Sequence, residues 1–283
     1  MSGRHTDPHF FAGEVLGDRL LLRLLRVNHR GEVWYGCRRS TGEPAVFKLI
    51  RRTPDRTPRL NALADLLRHS RCRQLIGVRD FTEEGEYLLA EMEYAAGGTL
   101  RAALKRLHRF TAAQAAFILR ETLTALDELH RHGIVHRDVK TGNLWLTGSG
   151  EVRLGDFGIA KIDGFPERSP AVFGTPSALS PEQAEDSTRV DCRSDLFSLS
   201  SMIFELLTGY PRFSGTSLTA AARQILAADP AQMADRLRPF APAALIALLT
   251  EMAAPRPDRR PANAGEALRI MEDMQLPEEA IPL

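Results

Sequence analysis

The sequence predicts an α+β chain of two lobes, a small β-rich one followed by a larger α-rich one. Three observations carry that expectation. Strand-length apolar runs separated by turn clusters fill the first ninety-odd residues, with one helix-spaced stretch among them. Ala95-Ala96-Gly97-Gly98 is then small and flexible, the composition of a linker. Beyond it, apolar residues recur mostly at helical spacing.

The elements follow in order. Arg19 to Val27 is a short apolar run, Gly31 interrupts it, and a Val- and aromatic-rich stretch follows. Ser40 to Pro44 is a turn cluster, and Ala45 to Ile50 is apolar apart from Lys48. These read as three consecutive antiparallel strands. Leu60, Leu63, Leu66 and Leu67 then mark a helix, and Leu75 to Phe81 and Glu86 to Glu93 mark two more strands. In the second lobe Thr111 and Gln114 have the spacing of a capping box, opening a helix that Gly133 stops. Short apolar runs and turns occupy 134–158, including a hairpin of Leu144 to Leu146 and Val152 to Leu154. Helices are expected over Leu196 to Leu207, Ser217 to Ala228, Pro242 to Met252 and Ala262 to Met274.

Composition excludes several classes. The chain has 283 residues, 43% hydrophobic, enough for a full core, and 37 basic residues balance 36 acidic ones. So even a balance argues against a dedicated nucleic-acid binder. The longest unbroken apolar run, Ala243 to Leu249, is far short of the roughly twenty residues of a membrane span, and the N-terminus lacks a signal-peptide core. A cytoplasmic location is expected. The three cysteines, Cys37, Cys72 and Cys192, form no C-x-x-C pair. Only four of the basic residues are lysine: Lys48, Lys105, Lys140 and Lys161.

The chemistry concentrates in HRDVKTGN, His136 to Asn143, and DFG, Asp156 to Gly158. Phosphoryl transfer asks a protein for positioning and charge neutralisation. One carboxylate must orient the attacking hydroxyl, oxygen ligands must hold magnesium against the phosphates, and a lysine must neutralise the transferring charge. Asp138, Lys140, Asn143 and Asp156 supply that set within nineteen residues.

With these motifs the sequence resembles the protein kinase family, from about Val15 to Met274. The resemblance implies a bilobal kinase fold, with an extension over 1–14, an N-lobe over 15–94, a C-lobe over 95–276 and a tail over 277–283. It implies ATP and Mg2+ as cofactors, Asp138 as catalytic base, Lys140 on the γ-phosphate, and Asn143 and Asp156 as metal ligands. Lys48 matches the strand lysine that meets the α- and β-phosphates. Val33 and Val46 would cover adenine from one side and Trp145 from the other, with Met92 as gatekeeper and the backbone of Glu93 and Ala95 bonding the ring. Ser180-Pro181-Glu182 resembles the end of the activation segment, its glutamate pairing with Arg260. Asp195 matches the aspartate that braces the catalytic loop, and Thr175 a structural hydroxyl near Asp138 and Lys140. Lys140, two residues after Asp138, resembles serine/threonine kinases, and GTP-x-x-x-SPEQ resembles bacterial members.

Three departures accompany the match. In the glycine-rich loop Arg26, Asn28 and Gly31 stand at the three glycine positions, and only Asn28 is a conformational substitute for glycine. No glutamate lies between Lys48 and Glu83, so Asp65 is the candidate to pair with Lys48, one methylene shorter than the family's residue. Ser200 replaces a usual glycine. The resemblance also makes Ser169 the candidate activating phosphosite, with Arg137 as its counter-charge. The resemblance implies an active serine/threonine protein kinase that transfers the γ-phosphate of ATP to a protein Ser or Thr hydroxyl, a reading favoured by the catalytic set. The alternative is a nucleotide-binding pseudokinase scaffold, favoured by the glycine loop and the missing glutamate. A small-molecule kinase is a third reading that the segment from Asp156 to Glu182 speaks against. The oligomeric state stays open.

Overall fold

The computed structural model describes residues 8–28, 31–54, 56–165, 175, 179–214 and 217–282. The chain divides into two compact units, one ending at Ala95 and one beginning at Ala96.

The first unit is built on an antiparallel sheet of β1 (Val15–Leu16), β2 (Arg19–Asn28), β3 (Gly31–Arg38), β4 (Pro44–Arg51), β5 (Val78–Glu84) and β6 (Tyr87–Glu93), in the order β1-β2-β3-β4-β6-β5. The pairings Val33↔Lys48↔Ala90 and Tyr35↔Val46↔Met92 put Val33, Val46, Lys48 and Met92 on one face, because side chains alternate along a strand. The opposite face carries a core of Leu21, Trp34, Phe47, Leu49 and Leu89. Phe10 and Leu16 pack on that core, and His9 and Gly13 bond Glu32 and the Leu21 carbonyl. Helix α1 (Thr57–His69) has Pro at its first turn and buries Leu60, Leu63, Ala64 and Leu67. Leu60 meets Ile50 and Leu88 of the sheet.

One strand begins later than expected. Leu75 and Ile76 are buried, which accounts for the apolar run, but the ladder of β5 starts at Val78. Gly77 instead bonds Glu93 twice, through the backbone N–H of Glu93 and through its carboxylate.

The second unit is mainly helical. Its elements are β7 (Gly98–Thr99), α2 (Leu100–Leu107), α3 (Ala112–Arg131), β8 (Ile134–Val135), β9 (Leu144–Leu146), β10 (Val152–Leu154), β11 (Lys161–Ile162), α4 (Pro181–Glu185), α5 (Arg193–Thr208), α6 (Leu218–Leu226), α7 (Pro230–Leu237), α8 (Ala243–Met252) and α9 (Ala264–Asp273). The expected linker is only partly one. Gly98 and Thr99 pair with Leu146 and Trp145, and a Cβ on Gly97 would lie 2.8 Å from Leu146. Close backbone approach, more than flexibility, explains the glycine at 97. The α3 capping box of Thr111 and Gln114 is formed, and Gly133 follows the helix at φ +66°.

Three helices were not anticipated: α2, α4 and α7. Each is eight residues or shorter, and each is started by a side-chain cap, from Thr99, Ser180 and Asp229 respectively. Helix α5 is buried on nearly every side, which suits its run of apolar and small residues. The segment after α9 packs back along the unit. Glu278 pairs with Arg120, Glu279 accepts from Gln114, Ile281 is buried, and the Pro282 carbonyl accepts from Arg106. No helix among the described residues is long and apolar enough to cross a membrane.

Candidate active site

The segment His136–Asn143 joins β8 to β9 and is held from below by one carboxylate. Asp195, in the first turn of α5, is fully buried and accepts the backbone N–H of His136 at 2.8 Å and of Arg137 at 2.7 Å. His130 Nε2 lies 3.0 Å from the same carboxylate. These bonds fix a loop turn in which Arg137 takes φ +64°, a conformation that a non-glycine residue needs support to keep. His136 is a strut. Its Nδ1 accepts the Asp138 N–H and its Nε2 faces the Gly155 carbonyl at 3.1 Å, which puts the ring proton on Nε2. Its ring meets Phe157 edge-on.

The loop presents a closely bonded polar group. Asp138 Oδ2 accepts from Lys140 Nζ at 2.6 Å and from Asn143 Nδ2 at 2.8 Å, and Oδ1 accepts from Thr175 Oγ1 at 2.9 Å. Lys140 Nζ also bonds Thr175 Oγ1. Asn143 Nδ2 further donates to the Asp138 carbonyl. The amide nitrogen of Asn143 is therefore committed to Asp138, and its oxygen is what it can offer a cation. Asp156 follows β10 with φ +63°, and Gly155 N–H bonds the Asn143 carbonyl, tying the two loops together. One amide oxygen and one carboxylate are hard donors of the kind magnesium takes alongside phosphate and water.

A second bonded group supports the loop from the segment after Thr175. Arg260 makes a bidentate pair with Glu182, at 2.7 and 3.0 Å, and stacks over Phe197. Ser194 also donates to Glu182. Burial pushes the Glu182 carboxyl up, but the Arg260 bonds and charge more than offset it and hold it below the ordinary value of 4.5. A carboxylate with a depressed folded pKa contributes stability above its unfolded pKa and loses it as pH falls through the folded one. Glu182→Gln is thus expected to cost about 3 kcal/mol at pH 7, and its deficit against wild type should shrink below about pH 4.5. Urea unfolding at pH 7 and pH 4 measures both.

Sequence reasoning missed two supports. Gln183 completes the α4 capping box with Ser180 and donates Nε2 to the Arg137 carbonyl at 3.0 Å. Lys161 Nζ donates to the carbonyls of Val190 and Thr188 at 2.8 and 3.3 Å. The rarity of lysine was the one signal for the second.

Each unit gathers its own candidates. In the first, Val33, Val46, Lys48 and Met92 share a sheet face, and Glu93 and Ala95 follow at its end. Gly31 pairs with Asn28, and Arg26 is a strand residue opposite Val33. A Cβ on Gly31 would lie 1.9 Å from the Leu49 carbonyl, so this glycine is required by the hairpin itself. Asp65 is exposed, on the side of α1 away from its buried leucines, and its carbonyl bonds His69. In the second unit, Trp145 is half-buried on β9, paired with Thr99 and Arg153. Arg137 directs its Nε to the Ile159 carbonyl at 2.7 Å. Ser169 lies outside the described residues.

The sequence matches the family described as protein kinase domain over residues 29–272. The chain belongs to the protein kinase family. Among similar proteins of this family, serine/threonine-protein kinase PknB of Mycolicibacterium smegmatis is 32% identical over 276 residues, covering 93% of this chain and 42% of that protein. Serine/threonine-protein kinase PknL of Mycobacterium tuberculosis is 34% identical over 216 residues, covering 74% of this chain and 54% of that protein. PknB of Mycobacterium tuberculosis is 30% identical over 275 residues, again with 93% and 42% covered. The chain thus spans about half the length of these kinases or less.

Proposed function

We propose that the chain is a serine/threonine protein kinase that moves the γ-phosphoryl group of ATP to a Ser or Thr hydroxyl of a protein. The observation that carries this is the bonded set of Asp138, Lys140, Asn143 and Thr175 on a loop braced by the buried Asp195. The similar proteins named as serine/threonine kinases support the same reading.

In this reading Asp138 orients the incoming hydroxyl and accepts its proton as the oxygen–phosphorus bond forms and the bond to ADP breaks. Lys140, bonded to Asp138, would neutralise charge on the transferring group. Asn143 and Asp156 would hold magnesium, which supplies charge neutralisation on the phosphates when bound. Lys48 would meet the α- and β-phosphates, while Val33, Val46 and Met92 give the nucleotide base an apolar sheet face. Trp145 is kept as a proposed adenine contact. The backbone of Glu93 and Ala95 would orient the base. A Lys48–Asp65 pair has little support from an exposed Asp65, and the Ser169 phosphosite is kept as a proposal.

The test is product analysis. Incubation with Mg2+, ATP and a general protein substrate should yield phosphoserine or phosphothreonine by phosphopeptide mass spectrometry. Nucleotide binding without any phosphorylated product would instead identify a kinase-shaped binding module.

A further inference from the structure

Lys48 and Lys140 are candidates for the reaction and Lys161 holds two carbonyls, whereas the fourth lysine, Lys105, has no such role. It lies on α2 four residues after Arg101, on the same helix face, and three residues before His108, which follows the helix at φ +63°. All three are exposed. Together with Glu205 and Gly209 at the end of α5 they line a pocket of about 370 Å³.

The pocket adjoins the candidate site within the same unit. The Arg101 backbone N–H donates to the Thr141 carbonyl at 2.8 Å, and its guanidinium would be 3.3 Å from a Cβ on Gly142. The absence of a side chain at 142 leaves that guanidinium room beside the loop. The far wall is fixed by the Phe110 N–H on the Leu206 carbonyl and by a close approach of Gly209 to the His108 carbonyl. Charge in the pocket is unbalanced. Glu205 is its one lining carboxylate; burial raises its pKa, Arg101 pulls it down, and Thr141 Oγ1 donates to it. No carboxylate pairs with Lys105 among the described residues. Two permanent cations and an imidazole therefore face one mostly buried acid, a field that favours an anionic side chain.

Resting on the kinase reading, we propose that this pocket selects the protein substrate by taking an aspartate or glutamate close to the phosphoacceptor residue. The loop itself sets the reach. Gly142 is four residues from Asp138, which bounds their separation at roughly 14 Å, or about four extended residues of a bound peptide. At the Arg101 end of the pocket, which lies against Gly142, the acid is accordingly about four positions from the phosphorylated Ser or Thr.

The test compares one serine peptide carrying Glu, Ala or Arg at each position within that range, using kcat/KM on the full chain. The Glu peptide at the responsive position should exceed its Ala counterpart roughly tenfold, mainly through KM, as expected from two or three partly exposed charge pairs. The preference should shrink as salt rises from about 0.1 M to about 1 M. Lys105→Glu should abolish or invert it, and Arg101→Gln should weaken it; the ratio between peptides separates altered preference from a damaged enzyme. Equal rates on Glu and Ala peptides, or an acidic preference untouched by both variants, would overturn the assignment. Failure of wild type to phosphorylate any peptide or protein would instead bring down the kinase reading on which the assignment rests.

Discussion

Lys48→Met is expected to lower phosphoryl transfer at least a hundredfold while leaving the melting temperature within about 2 °C of wild type, and Asp156→Ala should match it. In the roles proposed for them each residue contributes charge, and removing one preorganised electrostatic contact at a reacting centre typically costs two to three orders of magnitude. Methionine keeps the length and the apolar stem of Lys48 on a strand whose ladder is made by backbone groups. Steady-state kinetics with thermal unfolding on the same preparations separates loss of chemistry from loss of fold. Retention of more than a few per cent of the rate in either variant would remove that residue from the site.

The largest stability effect is expected at Asp195. Alanine there strands the buried N–H groups of His136 and Arg137 and removes the partner of His130. Each buried donor left unsatisfied costs about 1–3 kcal/mol, so Asp195→Ala should lose about 3–5 kcal/mol and melt roughly 10 °C lower. Activity should fall with it, because the same bonds hold Arg137 at φ +64° one residue before Asp138. Denaturant unfolding quantifies the first effect. An unchanged midpoint would show that the loop is held by other contacts.

The contrast between these two positions explains what was legible in the sequence. Asp138, Lys140, Asn143 and Asp156 could be named as candidates because the chemistry proposed for them needs particular side chains at short spacing on adjacent loops. The strands around Lys48 were readable because each face alternates, and the α3 start because a capping box has a local signature. Gln183 and Lys161 were not readable, since both bond main-chain carbonyls that any residue could present and that only tertiary structure brings near. Gly97 was misread for a related reason. A glycine required by a neighbour at 2.8 Å is indistinguishable in sequence from one required for flexibility. Asp65 is the acid that the kinase resemblance singles out on α1, and helical phase places it on the exposed side. The basic face of α2 was not legible because an eight-residue helix is too short for apolar periodicity to mark.

Magnesium-dependent transfer of labelled γ-phosphate by wild type and Asp138→Asn, measured side by side, tests the role proposed for the loop around Asp138. Asparagine preserves the shape of the group bonded by Lys140, Asn143 and Thr175 but cannot take the hydroxyl proton. Transfer by wild type that depends on magnesium and falls at least a hundredfold in Asp138→Asn is the expected result. Equal transfer by both proteins would remove Asp138 from the reaction.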